Sequence, residues 1–242
     1  MSGRLHPESP PRAAPVTNLL LLDYDGVIVN DEPLHYTALR DVLAIERIPL
    51  ERSAYYADYL GFDDRECLRL AFARAGRPLD AAALEHLAAR KATWYAEDIR
   101  AGLPLVGGVR EFVAQAAAAG ARIGVVSGAL RREIAAGLER AGIGDLVGTV
   151  VSAEDVKAGK PDPAGYRLAI ARLAGDVTRG LRALAVEDSV PGLAAARAAG
   201  AGCVLLATSH AAERLAGGDA VWDSFVGHAP SDLAPLYREV DA

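Results

Sequence analysis

Leu19-Leu20-Leu21-Leu22-Asp23-Tyr24-Asp25-Gly26 is the stretch on which the fold turns. Four leucines in a row show no polar alternation, which suits a strand buried on both faces, as in a parallel sheet. Two aspartates follow where such a strand ends. The pattern recurs downstream. Arg122 to Val126 runs into Ser127-Gly128, and Gly148 to Val151 into Ser152-Ala153-Glu154-Asp155. Ala183 to Val186 runs into Glu187-Asp188-Ser189, and Cys203 to Leu206 into Ala207-Thr208-Ser209. Five apolar runs therefore each end in a polar cluster.

Helical spacing fills the gaps. Val109, Phe112, Val113 and Ala116 repeat at helical intervals, and 130–141, 164–173 and 192–199 read alike. Gly120, Gly142 and Gly200 stand where helix C-terminal caps are expected. Strand and helix in alternation predict an α/β fold with a doubly wound, Rossmann-like parallel sheet. Ligands of such sheets bind outside the carboxyl ends of the strands, where all the polar clusters fall.

The stretch 33–101 breaks the alternation. It carries helical periodicity (Leu39, Val42, Leu43; Leu68, Leu70, Phe72; Leu84, Leu87) and no buried-strand run. The expected division is a disordered, proline-rich lead-in over 1–16, an α/β core from 17–32 and 102–242, and an α-helical insertion over 33–101. Gly102 to Gly108 would be the return hinge.

Composition narrows the function. Hydrophobic residues make up 51% of the 242, enough for a large core. A net charge of −6 argues against a nucleic-acid partner. It leaves an anionic substrate open, because a bound metal supplies positive charge locally. Cys67 and Cys203 sit in no metal-ligand spacing and read as reduced thiols of a cytoplasmic chain. No apolar stretch approaches the ~20 residues of a membrane helix, and the N-terminus lacks an apolar signal core. A monomer with no membrane partner is expected.

The loop clusters carry the chemistry. Asp23 and Asp25, two apart at a strand end, present paired carboxylates that attract a divalent cation or share a proton. Gly26 lets the backbone come close to a ligand. Ser127-Gly128 offers a hydroxyl and open N–H groups before a helix, which suits a phosphate, although Ser is also a routine N-cap. Lys157 and Lys160 are compact positive charges; solvated surface lysines are the plain alternative. Glu187-Asp188 follows a buried strand, where acids are costly unless they bind something. Together these groups form the inventory of phosphoryl transfer, with a carboxylate as an available nucleophile.

In this order the motifs Leu22-Asp23-Tyr24-Asp25-Gly26-Val27, Val126-Ser127-Gly128, Lys160-Pro161-Asp162-Pro163 and Val186-Glu187-Asp188-Ser189 resemble the haloacid dehalogenase superfamily. Ser189-Val190-Pro191-Gly192 is typical of its branch with a small helical cap, which includes β-phosphoglucomutase and many sugar-phosphate phosphatases. The resemblance covers about 17–240 and implies that 33–101 is the cap. It implies that Asp23 is the nucleophile and Asp25 the general acid and base. Ser127 and Gly128 would hold the phosphoryl oxygens, with Lys160 screening charge. Asp23, Asp25 (through its carbonyl), Glu187 and Asp188 would form a Mg²⁺ site. Gly26, His35 and Arg65 are candidates for the substrate; for Arg65 a solvent-exposed ion pair is the alternative, and for His35 a plain helix-start histidine. Asp25 favours phosphoryl chemistry over dehalogenation, since dehalogenating relatives lack a general acid there. Lys91, the insertion's one lysine, reads as a surface residue.

The resemblance implies a Mg²⁺-dependent phosphatase acting on a small phosphorylated metabolite through an aspartyl-phosphate. The alternative is a β-phosphoglucomutase-like phosphomutase; Leu60, where a lysine would precede Gly61, shifts the balance towards phosphatase. A non-catalytic binding module is disfavoured by the intact acid, lysine and serine set. A dinucleotide-dependent oxidoreductase lacks a GxGxxG after the first strand.

Overall fold

The leucine run forms β1 (Thr17–Leu22), at the centre of a seven-stranded sheet. In this computed structural model the described residues are 16–59, 62, 64–210 and 212–241, without the side chains of 96 and 98–101. The expected lead-in thus lies outside them apart from Val16.

The other strands are β2 (Arg122–Val126), β3 (Val147–Val151), β4 (Leu181–Glu187), β5 (Gly202–Leu206), β6 (Ala220–Trp222) and β7 (Arg238–Glu239). Their order is β3-β2-β1-β4-β5-β6, parallel throughout, with β7 antiparallel on the first residues of β4. β5 starts beside Leu184, so β7 takes the flank of β4 that β5 leaves open, at Arg182 and Ala183.

Alternate residues of one strand feed opposite faces. Leu20 and Leu22 pack with Phe112, Val113, Ile134 and Leu138 of α5 (Val109–Ala118) and α6 (Arg131–Ala141). Leu19 and Leu21 pack with Tyr166, Ile170 and Ala195 of α7 (Ala164–Ala174) and α8 (Val190–Ala198). All four leucines are fully buried, which explains the absence of polar alternation. Each contributes about 1.5–3 kcal/mol of apolar burial.

The insertion contains α1 (Glu32–Ile45), α2 (Arg52–Asp58), α3 (Asp64–Arg74) and α4 (Ala81–Ala101). These helices bury an apolar cluster of their own, around Leu39, Val42, Leu43, Leu68, Phe72 and Leu87. Two adjacent segments join them to the sheet. Val29 bridges Leu105 antiparallel, and the Asn30 N–H donates to the Pro104 carbonyl at 3.0 Å.

Candidate active site

The strand order reverses between β1 and β4, since β2 lies beyond one and β5 beyond the other. The crevice of a doubly wound sheet opens at that point, above the carboxyl ends of those strands. Asp23 stands directly after β1, and its N–H is held by the Val186 carbonyl at 2.9 Å. Glu187 ends β4 and Asp188 follows it.

Asp23, Glu187 and Asp188 are buried, with one carboxylate oxygen of each within 4.8 Å of the others. Lys160, from the loop before α7, enters between them. Its ammonium is 2.8 Å from Asp23 Oδ1 and 2.6 Å from Glu187 Oε1. Burial opposes the ammonium, but Asp23 and Glu187 outweigh it and hold Lys160 above the usual lysine range. Burial first, then the charge of Glu187, pushes Asp23 well up. Burial likewise raises Asp188 to about 6, against a hydrogen bond from Ser209. One ammonium among three buried carboxylates leaves excess negative charge. Such an all-oxygen donor set fits a hard divalent cation.

Glu187 is the most engaged of the three. Oε1 accepts from Lys160 and from the Tyr166 hydroxyl at 2.6 Å, and Oε2 accepts from the Ser189 hydroxyl at 3.1 Å. Asp188 accepts from the Ser209 hydroxyl. Gly26 adopts φ +70°, and a Cβ there would lie 1.9 Å from Asp188 Oδ2, so only glycine admits the first loop this close.

Asp25 opens onto a cavity of about 620 Å³ between the sheet edge and the helical insertion, shared with Gly128, Asp31, His35 and Tyr95. Withdrawal from water, and then Asp31, raises its carboxyl to about 6. Ser127 is buried at the end of β2, and its Oγ accepts from the Ala129 N–H at 3.0 Å. Ser127, Gly128 and Lys160 line a second, smaller cavity of about 220 Å³ over β2 and β3, with Lys157 on its wall.

The structure thus gathers Asp23, Asp25, Gly26, Ser127, Gly128, Lys160, Glu187 and Asp188 at one sheet edge. Arg65 is not among them. It is half-exposed on α3 and forms a two-pronged pair with Glu85 of α4, at 2.8 and 2.6 Å. His35, on the first turn of α1, reaches the Asp25 cavity with its ring 3.4 Å from Asp31 Oδ2. Leu60 and Gly61, which bore on the choice between phosphatase and mutase, lie outside the described residues.

Lys91 requires a correction. It is 2% exposed, not a surface residue. Its ammonium lies 2.6 Å from Asp64 Oδ1 and 2.5 Å from His35 Nδ1, in the seam between α1, α3 and α4. Sequence reasoning also gave no role to Tyr166 or Ser209. The signal for Ser209 was present, since Ala207-Thr208-Ser209 closes the fifth apolar run at the same sheet edge.

A model of the haloacid dehalogenase-like hydrolase family matches residues 17–200. The chain is 30% identical over 200 residues to validoxylamine A 7'-phosphate phosphatase of Streptomyces hygroscopicus subsp. limoneus, covering 82% of this chain and 90% of that protein. It is 31% identical over 209 residues to a phosphoglycolate phosphatase of Caulobacter vibrioides, covering 86% and 87% respectively. Among solved structures, CbbY from Rhodobacter sphaeroides, in complex with phosphate, matches with a TM-score of 0.62 and 25% identity, over 90% of this chain and 99% of that one.

Proposed function

The chain belongs to the haloacid dehalogenase-like hydrolases, and from that premise we propose that it cleaves a small phosphorylated metabolite through an aspartyl-phosphate on Asp23, with Mg²⁺ bound. That it is a phosphatase follows from the family and from relatives that are phosphatases. The observation that carries the mechanism is the placing of Asp23 at the switch point, 2.8 Å from Lys160 and grouped with Asp188.

A carboxylate of Asp23 attacks phosphorus, the phosphorus–oxygen bond to the substrate breaks, and Asp25 gives its proton to the departing oxygen. Its raised pKa suits that donation. Asp25 then takes a proton from water as the water attacks phosphorus, and the bond to Asp23 breaks to release inorganic phosphate. Ser127 and the backbone at Gly128 hold the phosphoryl oxygens. Lys160 neutralises charge between Asp23 and the phosphoryl group and is itself aimed by Glu187. Asp23, Asp188 and the Asp25 carbonyl would hold Mg²⁺, with Glu187 beside them acting chiefly through Lys160. The metal supplies charge neutralisation on the phosphoryl oxygens. The helical insertion serves as the cap that excludes water while the first step proceeds.

The test is phosphate release from a panel of sugar phosphates and small phosphoesters with Mg²⁺. Asp23→Asn loses turnover by at least about a thousandfold with an unchanged melting curve. Chelation silences the wild type and Mg²⁺ restores it. Retained turnover in the variant removes the nucleophile assignment, and indifference to chelation removes the metal.

A further inference from the structure

We propose that the group released with the phosphate is an uncharged or amine-bearing polyol, carrying neither a carboxylate nor a second phosphate. This rests on the phosphatase reading above and narrows its substrate class.

The leaving oxygen must sit within reach of Asp25, so the rest of the substrate occupies the cavity onto which Asp25 opens. The ionisable acids on its wall are Asp25, Asp31 and Glu133, and among the described lining residues there is no lysine or arginine. Cations around it are engaged with other groups: Arg140 donates to the carbonyl of Leu103, a lining residue, at 2.9 Å. Lys91 is closed off behind His35 and bound to Asp64. Because the ammonium has only hydrogens to offer, it donates to His35 Nδ1. The other ring nitrogen, Nε2, faces Asp31 at 3.4 Å, so both sides of the His35 ring are engaged within the protein. The Tyr95 hydroxyl also donates to Asp31. Arg131 turns away to Asp155 at 2.5 Å. Arg132, with its side chain 80% exposed, reaches Glu133 only at 3.9 Å. Arg214 and His210 line a separate cavity that shares no lining residue with this one.

Among the described lining residues the wall therefore offers acceptors in Asp31 and Glu133 and no lysine or arginine to pair with an anion. A carboxylate or second phosphate entering it is desolvated against like charge, whereas hydroxyl or ammonium groups donate to the acids. Asp31 is partly buried and Glu133 half-exposed, and a site whose polar groups are left unpaired by a ligand discriminates against it.

The experiment measures kcat/KM of the full chain with Mg²⁺ on sorbitol 6-phosphate, glucosamine 6-phosphate, 2-phosphoglycolate and fructose 1,6-bisphosphate, with p-nitrophenyl phosphate as a generic ester. The first two exceed 2-phosphoglycolate and the bisphosphate by at least about tenfold. Glu133→Arg raises the ratio of 2-phosphoglycolate to sorbitol 6-phosphate by about tenfold or more. Glu133→Gln, which keeps an acceptor for the Leu130 N–H, moves the ratio the same way by less. Preference for 2-phosphoglycolate or the bisphosphate, or a ratio unmoved in both variants, overturns the substrate class and leaves the phosphatase standing. No phosphate from any ester, p-nitrophenyl phosphate included, overturns the phosphatase reading and this inference with it.

Discussion

Ser209 shows how a single hydroxyl sets the acidic site. It donates to Asp188 Oδ2 and lies where a Cβ on Gly26 would collide, so it fixes Asp188 beside the first loop. An outer partner that orients a metal ligand is worth about 10–100-fold in metal affinity. Ser209→Ala is therefore expected to raise the Mg²⁺ concentration for half-maximal phosphate release by about that factor. Turnover at saturating Mg²⁺ should change far less, and an unchanged Mg²⁺ titration would remove Ser209 from the site. Asp23, Glu187 and Asp188 were legible as candidates because they stand where apolar runs end and the parallel neighbours of those strands bring the loops together. Lys91 was not, because Arg90 and Ala92 beside it suggested a solvated face. The helical period tells otherwise: Leu84, Leu87, Ala88 and Lys91 lie at i, i+3, i+4 and i+7, and all four are buried.

The loop after β3 is held by one carboxylate, that of Asp155. Asp155 accepts from the Ser152 N–H and hydroxyl, both at 2.8 Å, and pairs with Arg131 of α6 at 2.5 Å and Arg172 of α7 at 2.9 Å. The Ser152 N–H, joined by Arg172, holds its carboxyl well below the usual range. A depressed carboxyl stabilises the fold above its unfolded pKa of about 3.9 and loses that contribution as pH falls through its folded value. Asp155→Asn should thus cost about 1–2 kcal/mol at pH 7, discounted because both arginines are substantially exposed. The gap between the urea midpoints of wild type and variant should shrink below pH about 4; a constant gap would mean that the charge of Asp155 contributes nothing. At this scale five strands were readable as apolar runs. β6 and β7 were not, being only three and two residues long, with Val221, Arg238 and Glu239 turned outward.

Across the whole molecule, apolar packing falls into separate clusters on the two faces of the sheet and inside the helical insertion. The insertion was legible as helical from its periodicity, but its arrangement over Asp25 depends on contacts far apart in the chain, which no local pattern reveals. The wall it presents to the cavity beside Asp25, His35 and Tyr95, belongs to helices α1 and α4, whose Leu39, Leu43 and Leu87 share one apolar cluster with Leu68. Leu68 is fully buried there, so Leu68→Ala leaves a void and should cost about 2–5 kcal/mol. If the insertion opens as its own cooperative unit, that loss is local. Amide exchange should then rise across 32–101 while β1 and β4 keep their protection. kcat/KM should fall more than Mg²⁺ affinity, since Asp23 and Asp188 directly follow strands of the sheet and His35 and Tyr95 lie on the inserted helices. An equal rise in exchange at β1 and β4 would show that the two layers unfold together, and the helical insertion could then not move without the sheet beneath it.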